Sequence, residues 1–125
     1  MTNYWLLKTE PSAYSYADLE RDGCTTWDGV NNPLALKHLG AMKKGDRVFI
    51  YHTGNEKQIV GIAEVVADSD AAPSLKVTGR LKTPVTLAEI KSRREFADFA
   101  LVRISRLSVM PVEPATWKKL VAMAG

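Results

Sequence analysis

The chain has 125 residues, of which 46% are hydrophobic and 25% charged, with a formal net charge of +3. That composition excludes a disordered polymer and supports one domain with a real core, not two ordinary ones. A single cysteine, Cys24, excludes an internal disulfide. No signal-like start and no apolar run near the ~20 residues of a bilayer span are present, so a cytoplasmic protein with no membrane partner is expected. No exposed apolar stripe stands out, which favours a monomer.

Tyr4 to Lys8 predicts a first strand, ended by Pro11. Ser15 offers an N-cap, with Asp18 as its acidic partner, for a short helix to Arg21 that Gly23 stops. Asn32 followed by Pro33 starts a second helix, running to about Met42. Lys44-Gly45-Asp46 turns into a strand over residues 47–52, and Gly54 to Lys57 reverses the chain. Residues 59–65 are almost continuously apolar, as in a strand covered on both faces. Gly61 within that run implies that something large approaches the backbone there.

Residues 75–81 alternate, with Lys76, Thr78 and Arg80 on the wet face. Thr86 and Glu89 form a capping box for a helix through about Ala97. Phe99 to Val109 reads as a long strand with Leu101, Arg103, Ser105 and Leu107 on one side. Glu113-Pro114 opens a last helix in which Trp117 keeps helical spacing with Leu120 and Val121, and so belongs to the core. Five strands and four short helices make an α+β fold on a small, strongly curved mixed sheet, expected to close into a barrel.

Charge is unevenly spread, with −3 over residues 1–74 and +6 over residues 75–125. Such a bias permits contact with a polyanion. Enzyme signatures are mostly missing. Gly23, Gly29 and Gly40 lack the spacing of a phosphate-binding loop, and His38, His52 and one cysteine cannot build a zinc site, so no cofactor or metal is expected. A Cys24–His52–Asp28 nucleophilic set is only arithmetically possible, and Cys24 reads as structural. Glu10 and Asp28 could pair as acid and base, but Glu10 before Pro11 better anchors a turn.

Trp5 and Trp27 each sit beside hydrogen-bonding groups and a chain-bending Gly or Pro, the mix that holds a flat, polar-edged ligand. The competing reading is two core rings whose indole N–H groups are satisfied by nearby acceptors. His52 is likewise either a satisfied core histidine or a group lining the mouth of the barrel.

Four blocks carry a resemblance. They are Trp5-Leu6-Leu7-Lys8-Thr9-Glu10-Pro11 with Tyr14-Ser15; Trp27-Asp28-Gly29-Val30-Asn31-Asn32; Gly45-Asp46 with Tyr51-His52-Thr53; and the run from Arg106 to Val112 with Trp117. In this order, across nearly the whole chain, they resemble the EVE domain family, which is similar to YTH and ASCH domains within the PUA-like superfamily. The resemblance implies a PUA-like pseudobarrel of five or six strands with short flanking helices. It also implies a non-catalytic reader of a modified base, a methylated or hydroxymethylated cytosine in DNA or a modified RNA nucleotide, flipped into an aromatic pocket.

Carried over by motif, that base pocket comprises Trp5, Lys8, Ser12, Trp27, Val30, Asn32, Tyr51 and His52, with Asn31 where the family commonly has Arg. Losing that guanidinium removes a bidentate contact. Thr53 for the commoner Ser retains the hydroxyl. Asn32 serves equally well as the N-cap of the second helix. Arg103 and Arg106, with Arg80, Lys82 and Lys91, are the candidate phosphate contacts. Two other readings stay open: an RNA-modifying or nucleotide-processing enzyme, and a small-metabolite or protein-binding module on the same barrel.

Overall fold

The computed structural model describes residues 2–69 and 72–125. Six strands form one curled sheet: β1 (Tyr4–Thr9), β2 (Cys24–Thr26), β3 (Arg47–His52), β4 (Gln58–Ala67), β5 (Ser74–Thr86) and β6 (Val109–Val112). Their spatial order is β2-β5-β4-β3-β1-β6. Only β1 and β3 run parallel, and the other neighbours are antiparallel. β2 and β6 stand at opposite edges of the sheet, so it curls into a half-barrel rather than the closed barrel expected. Register shifts between Ile50 and Tyr51 and at three points along β4 and β5 give the sheet its bend.

Local signals place the helices. In α1 (Tyr16–Asp22) the Ser15 hydroxyl accepts from the Asp18 N–H at 3.1 Å, and the Asp18 carboxylate accepts in turn from the Ser15 N–H at 2.9 Å. Gly23 ends that helix with φ 75°, a left-handed turn that glycine takes without cost. Asn32 caps α2 (Pro33–Ala41), and the Thr86–Glu89 box caps α3 (Leu87–Lys91). The third helix stops early, at Ser92, whose hydroxyl donates to the Glu89 carbonyl at 2.7 Å and competes with the helical ladder. A 3₁₀ turn at Arg94–Phe96 follows.

The long strand expected over Phe99 to Val109 does not form. Its first part is α4 (Ala100–Arg103), then a turn, and only Val109–Val112 pairs with β1. Phe96, Phe99, Leu101 and Leu107 are buried while Arg103 and Ser105 are exposed. Folding the chain back at Phe99 packs Phe96 on Phe99 and buries all four apolar groups, while it carries Arg103 and Ser105, which a strand would hold on the same face as Leu101 and Leu107, out to solvent. β2 is a three-residue strand that the sequence did not announce. Its pairing with β5 brings the Thr25-Thr26 segment to the sheet edge.

The core forms between the sheet and the helices. α5 (Pro114–Met123) delivers Trp117, which stacks on Phe49 at 3.7 Å and on Tyr4 at 4.6 Å between ring centroids. Gly61 has the role anticipated for it. A Cβ there would collide with the ring of Tyr16, whose hydroxyl donates to the Ile62 carbonyl at 2.8 Å. Tyr16 thereby ties α1 to β4 and fixes the side of the half-barrel on which the chain between β1 and β2 lies.

Candidate functional site

Where β1 ends, the backbone turns sharply: the N–H groups of Ala13 and Tyr14 both donate to the Glu10 carbonyl at 2.9 Å. The Glu10 carboxylate accepts from the Ser12 hydroxyl at 3.1 Å and, across the gap to β3, from the Thr53 hydroxyl at 3.1 Å. Hydrogen bonds from the Ser12 backbone and then the Thr53 side chain hold this carboxyl below the ordinary carboxylate range. Glu10 is therefore the turn anchor expected of it, and it is charged at neutral pH.

Tyr14, on that turn, meets Trp27 edge-on, with centroids 6.1 Å apart and an interplanar angle of 85°. The Tyr14 hydroxyl donates to Asp22 at 2.8 Å, which fixes the ring. Trp27 follows β2 directly and is held by its backbone N–H, which donates to the Pro73 carbonyl at 2.8 Å. Between these two segments lies a cleft of about 600 Å³, walled by Lys8, Glu10, Tyr14, Thr25, Thr26, Trp27, Asp28 and Val30. That volume lies within the ~300–1,000 Å³ of ordinary small-molecule sites.

Lys8 forms a partition. Its ammonium donates to the Ser105 carbonyl at 2.8 Å and lies 5.7 Å from the centroid of the Tyr51 ring. Burial holds its pKa below the ordinary lysine value. On its other side is a second pocket of about 270 Å³, reaching Tyr51, Thr53, Lys57, Lys91 and Ser105.

The structure thus brings three of the expected base-pocket residues together, Lys8, Trp27 and Val30, and separates the others. Trp5 is the main correction. Its indole N–H donates to the Asp46 carboxylate at 2.9 Å, and that carboxylate, 1% exposed, also accepts from the backbone N–H groups of Asn3 and Lys43. The ring packs beside His38 at 6.1 Å, away from the Trp27 cleft. A buried carboxylate needs donors on all sides, and the Trp5 indole is one of them.

His52 is also committed to the framework. One ring nitrogen accepts from the Tyr16 N–H at 3.0 Å, and the other bonds Glu56 at 2.9 Å. Tyr51 is buried and belongs to the second pocket. Asn32 spends its side-chain oxygen on the N–H groups of Leu34 and Ala35, each at 3.0 Å, so the capping alternative describes it. Ser12 is exposed and bound to Glu10; Asn31 is exposed beside Val30; neither walls the cleft.

The candidate phosphate contacts fall in separate places. Arg103 and Arg106 are exposed on either side of Ser105, the residue that Lys8 touches, and Lys91 walls the second pocket. Arg80 lies on β5 opposite Gly61, paired with Glu20 at 2.7 Å and 5.4 Å from the Tyr16 ring centroid. Lys82 lies further along the same strand, exposed. Sequence reasoning missed Tyr14, Thr25 and Thr26 as walls. A tyrosine four residues after the turn-forming Glu10 was the available signal. For the threonines there was none, because β2 is too short to show a period.

Comparison with known proteins follows the same outline. Thymocyte nuclear protein 1 of Rattus norvegicus is 39% identical over 82 residues, covering 55% of this chain and 36% of that protein. The Homo sapiens protein of that name is 33% identical over 81 residues, with the same coverage. The chain therefore spans 36% of the length of these relatives. Among solved structures, Rpa0253 from Rhodopseudomonas palustris superposes with a TM-score of 0.92 at 41% identity, covering 99% of this chain and 94% of that one. The human THYN1 protein in complex with 5-methylcytosine containing DNA superposes with a TM-score of 0.90 at 23% identity, covering 98% of each chain, a likeness of fold. An ASCH protein from Zymomonas mobilis shares the architecture more loosely, at a TM-score of 0.62 and 14% identity. The sequence model of the EVE domain matches residues 3–123, and this chain belongs to the EVE domain family.

Proposed function

We propose that this protein binds nucleic acid without chemistry, and that the Trp27 cleft receives one modified base taken out of its stack. The observation that carries this reading is the pair of aromatic rings, Trp27 held edge-on by Tyr14, beside a cleft large enough for a nucleobase and its sugar. Stacking on such a face contributes about 1–3 kcal/mol per base, and flipping costs a few kcal/mol, so edge contacts must supply the remainder.

The cleft has the groups for that. Glu10 and Asp28 are acceptors that suit an exocyclic amine, as on cytosine or adenine, and Lys8 is a donor toward a carbonyl oxygen. Val30 offers an apolar contact of the kind a base methyl group prefers. A relative of the same fold has been solved with 5-methylcytosine containing DNA, which supports a methylated cytosine as the first base to try. Arg103 and Arg106 stand beside Ser105, where a phosphate backbone could run past Lys8. Asn31, exposed beside Val30, carries no guanidinium and so offers no fixed phosphate fork.

The test is a binding screen of short oligonucleotides, each with one modified base beside its unmodified control, using the native protein, Trp27→Ala and Trp27→Phe. One modified base is expected to bind about tenfold tighter than its control, a difference near 1.4 kcal/mol. Trp27→Ala should erase that preference and Trp27→Phe should retain part of it. If every modified oligonucleotide binds like its control at moderate salt, the reading is wrong.

A further inference from the structure

The two pockets that share Lys8 have opposite character. The Trp27 cleft sets one lysine against two carboxylates, Glu10 and Asp28. The second pocket is walled by three lysines, Lys8, Lys57 and Lys91, and no carboxylate, with the hydroxyls of Thr53 and Ser105 between them. A phosphodiester entering the first would meet like charge. In the second it would meet three lysines, gathered beside Leu101 and Val102.

Two carboxylates adjoin the second pocket without walling it, each held in place by neighbouring groups. Glu56 is bound to His52 at 2.9 Å and Gln58 at 3.3 Å, and Glu10 to Ser12 and Thr53. Neither Lys57 nor Lys91 forms an ion pair among the described residues. Lys57 also holds a backbone φ of 48°, the one non-glycine residue with positive φ among those described. Left-handed backbone costs a residue with a Cβ about 1–2 kcal/mol, which glycine or asparagine largely avoids. That conformation closes the turn between β3 and β4, and the Lys57 carbonyl accepts from the Leu87 N–H at 2.8 Å, which fixes the lysine's backbone beside the pocket.

We propose that this second pocket is the phosphate subsite of the bound strand, taking the phosphodiester adjacent to the base in the Trp27 cleft. Lys8, as the partition, touches both parts of the nucleotide. The proposal rests on the base-reading function above. It gathers Lys91 into one site with Lys8 and Lys57, the last a residue whose sequence context announced only a turn.

The test uses Lys57→Asn, Lys91→Gln and the double variant, with Lys118→Gln as a surface-charge control. Asparagine tolerates left-handed backbone, so Lys57→Asn should fold at least as well as the native chain. Affinity for a short single strand is measured across a salt series. The double variant should weaken binding to modified and control strands by the same factor and flatten the log–log salt slope by about 0.7 for each phosphate it no longer neutralises. Lys118→Gln should leave the slope unchanged. In parallel, inorganic phosphate is titrated while amide shifts of Thr53, Lys57 and Lys91 are followed by NMR, and the double variant should abolish those shifts.

A double variant with the native salt slope, or one that loses base preference while keeping that slope, overturns the subsite. If no strand shows base preference but phosphate still shifts these amides and the slope still falls, the base-reading function fails and the subsite stands.

Discussion

Trp5 and Trp27 are almost equally buried, 6% and 9% exposed, and each stands in polar company in the sequence. Hydrogen bonding separates them. The Trp5 indole N–H is one of three donors that surround the Asp46 carboxylate, whereas the Trp27 indole N–H has no partner among the described residues. The first ring is therefore part of what makes a buried charge tolerable, and the second is a wall of the cleft whose polar edge meets no acceptor among the described residues. A tryptophan beside polar residues is thus a clue to two opposite things, and the acceptor that decides between them lies far away in sequence.

The comparison breaks most visibly on stability. Trp5→Ala should cost about 3–5 kcal/mol, because it opens a cavity and leaves the Asp46 carboxylate short of a donor. Trp27→Ala should cost no more than about half as much, since the space it vacates joins an open cleft and not a sealed void. Urea unfolding of both variants measures this, and equal losses would place Trp27 in the core proper.

Next in size come two substitutions at single points of packing. Asp46→Asn keeps the volume but turns an amide N–H toward a ring of donors, and about 1–3 kcal/mol should be lost. Gly61→Ala drives a methyl group into the Tyr16 ring, for a similar loss of about 1–3 kcal/mol unless α1 shifts. Neither variant alters a wall of the Trp27 cleft, so base preference in the surviving folded fraction should be native.

These cases show why some of the molecule was legible and some was not. The Ser15–Asp18 and Thr86–Glu89 boxes and the Asn32-Pro33 start are short-range chemistry, fully written within four residues. Gly61 was legible for a different reason: an absent side chain inside a buried strand announces a neighbour, though not that the neighbour is Tyr16. Trp5 was not legible, because its partner lies 41 residues away, across the pairing of β1 with β3. His52 failed likewise, being tied to Tyr16 36 residues back. The segment after Phe99 misled because its apolar residues fit period two on paper, while burial of Phe96 against Phe99 favoured a helical turn.

Asn32 gives a smaller and sharper effect. As the cap of α2 it should lose about 1 kcal/mol on substitution by alanine, with Asn32→Asp restoring most of that loss. A cap acts on stability alone. If Asn32→Ala instead removes base preference while the melting temperature barely moves, the residue belongs to the binding edge after all, and the division drawn between framework and cleft must be redrawn to include it.

The smallest effect is the acid limb of stability at the cleft itself. Glu10 has its folded pKa below the ordinary carboxylate value because Ser12 and Thr53 donate to it, so its contribution is present above the unfolded pKa and fades as pH falls through the folded one. Because the group is fully solvated, the change in unfolding free energy should be slight, and Glu10→Gln should flatten it. The effect on binding runs in the same direction through a different cause. Protonated Glu10 has lost an acceptor for an amino-edged base, so base preference should decline over the same pH window and do so less in Glu10→Gln, which has already given up the charge. A Trp27 cleft whose preference is indifferent to that window would have to rely on Asp28 alone for the amine, and Asp28→Asn then becomes the variant that separates the two carboxylates.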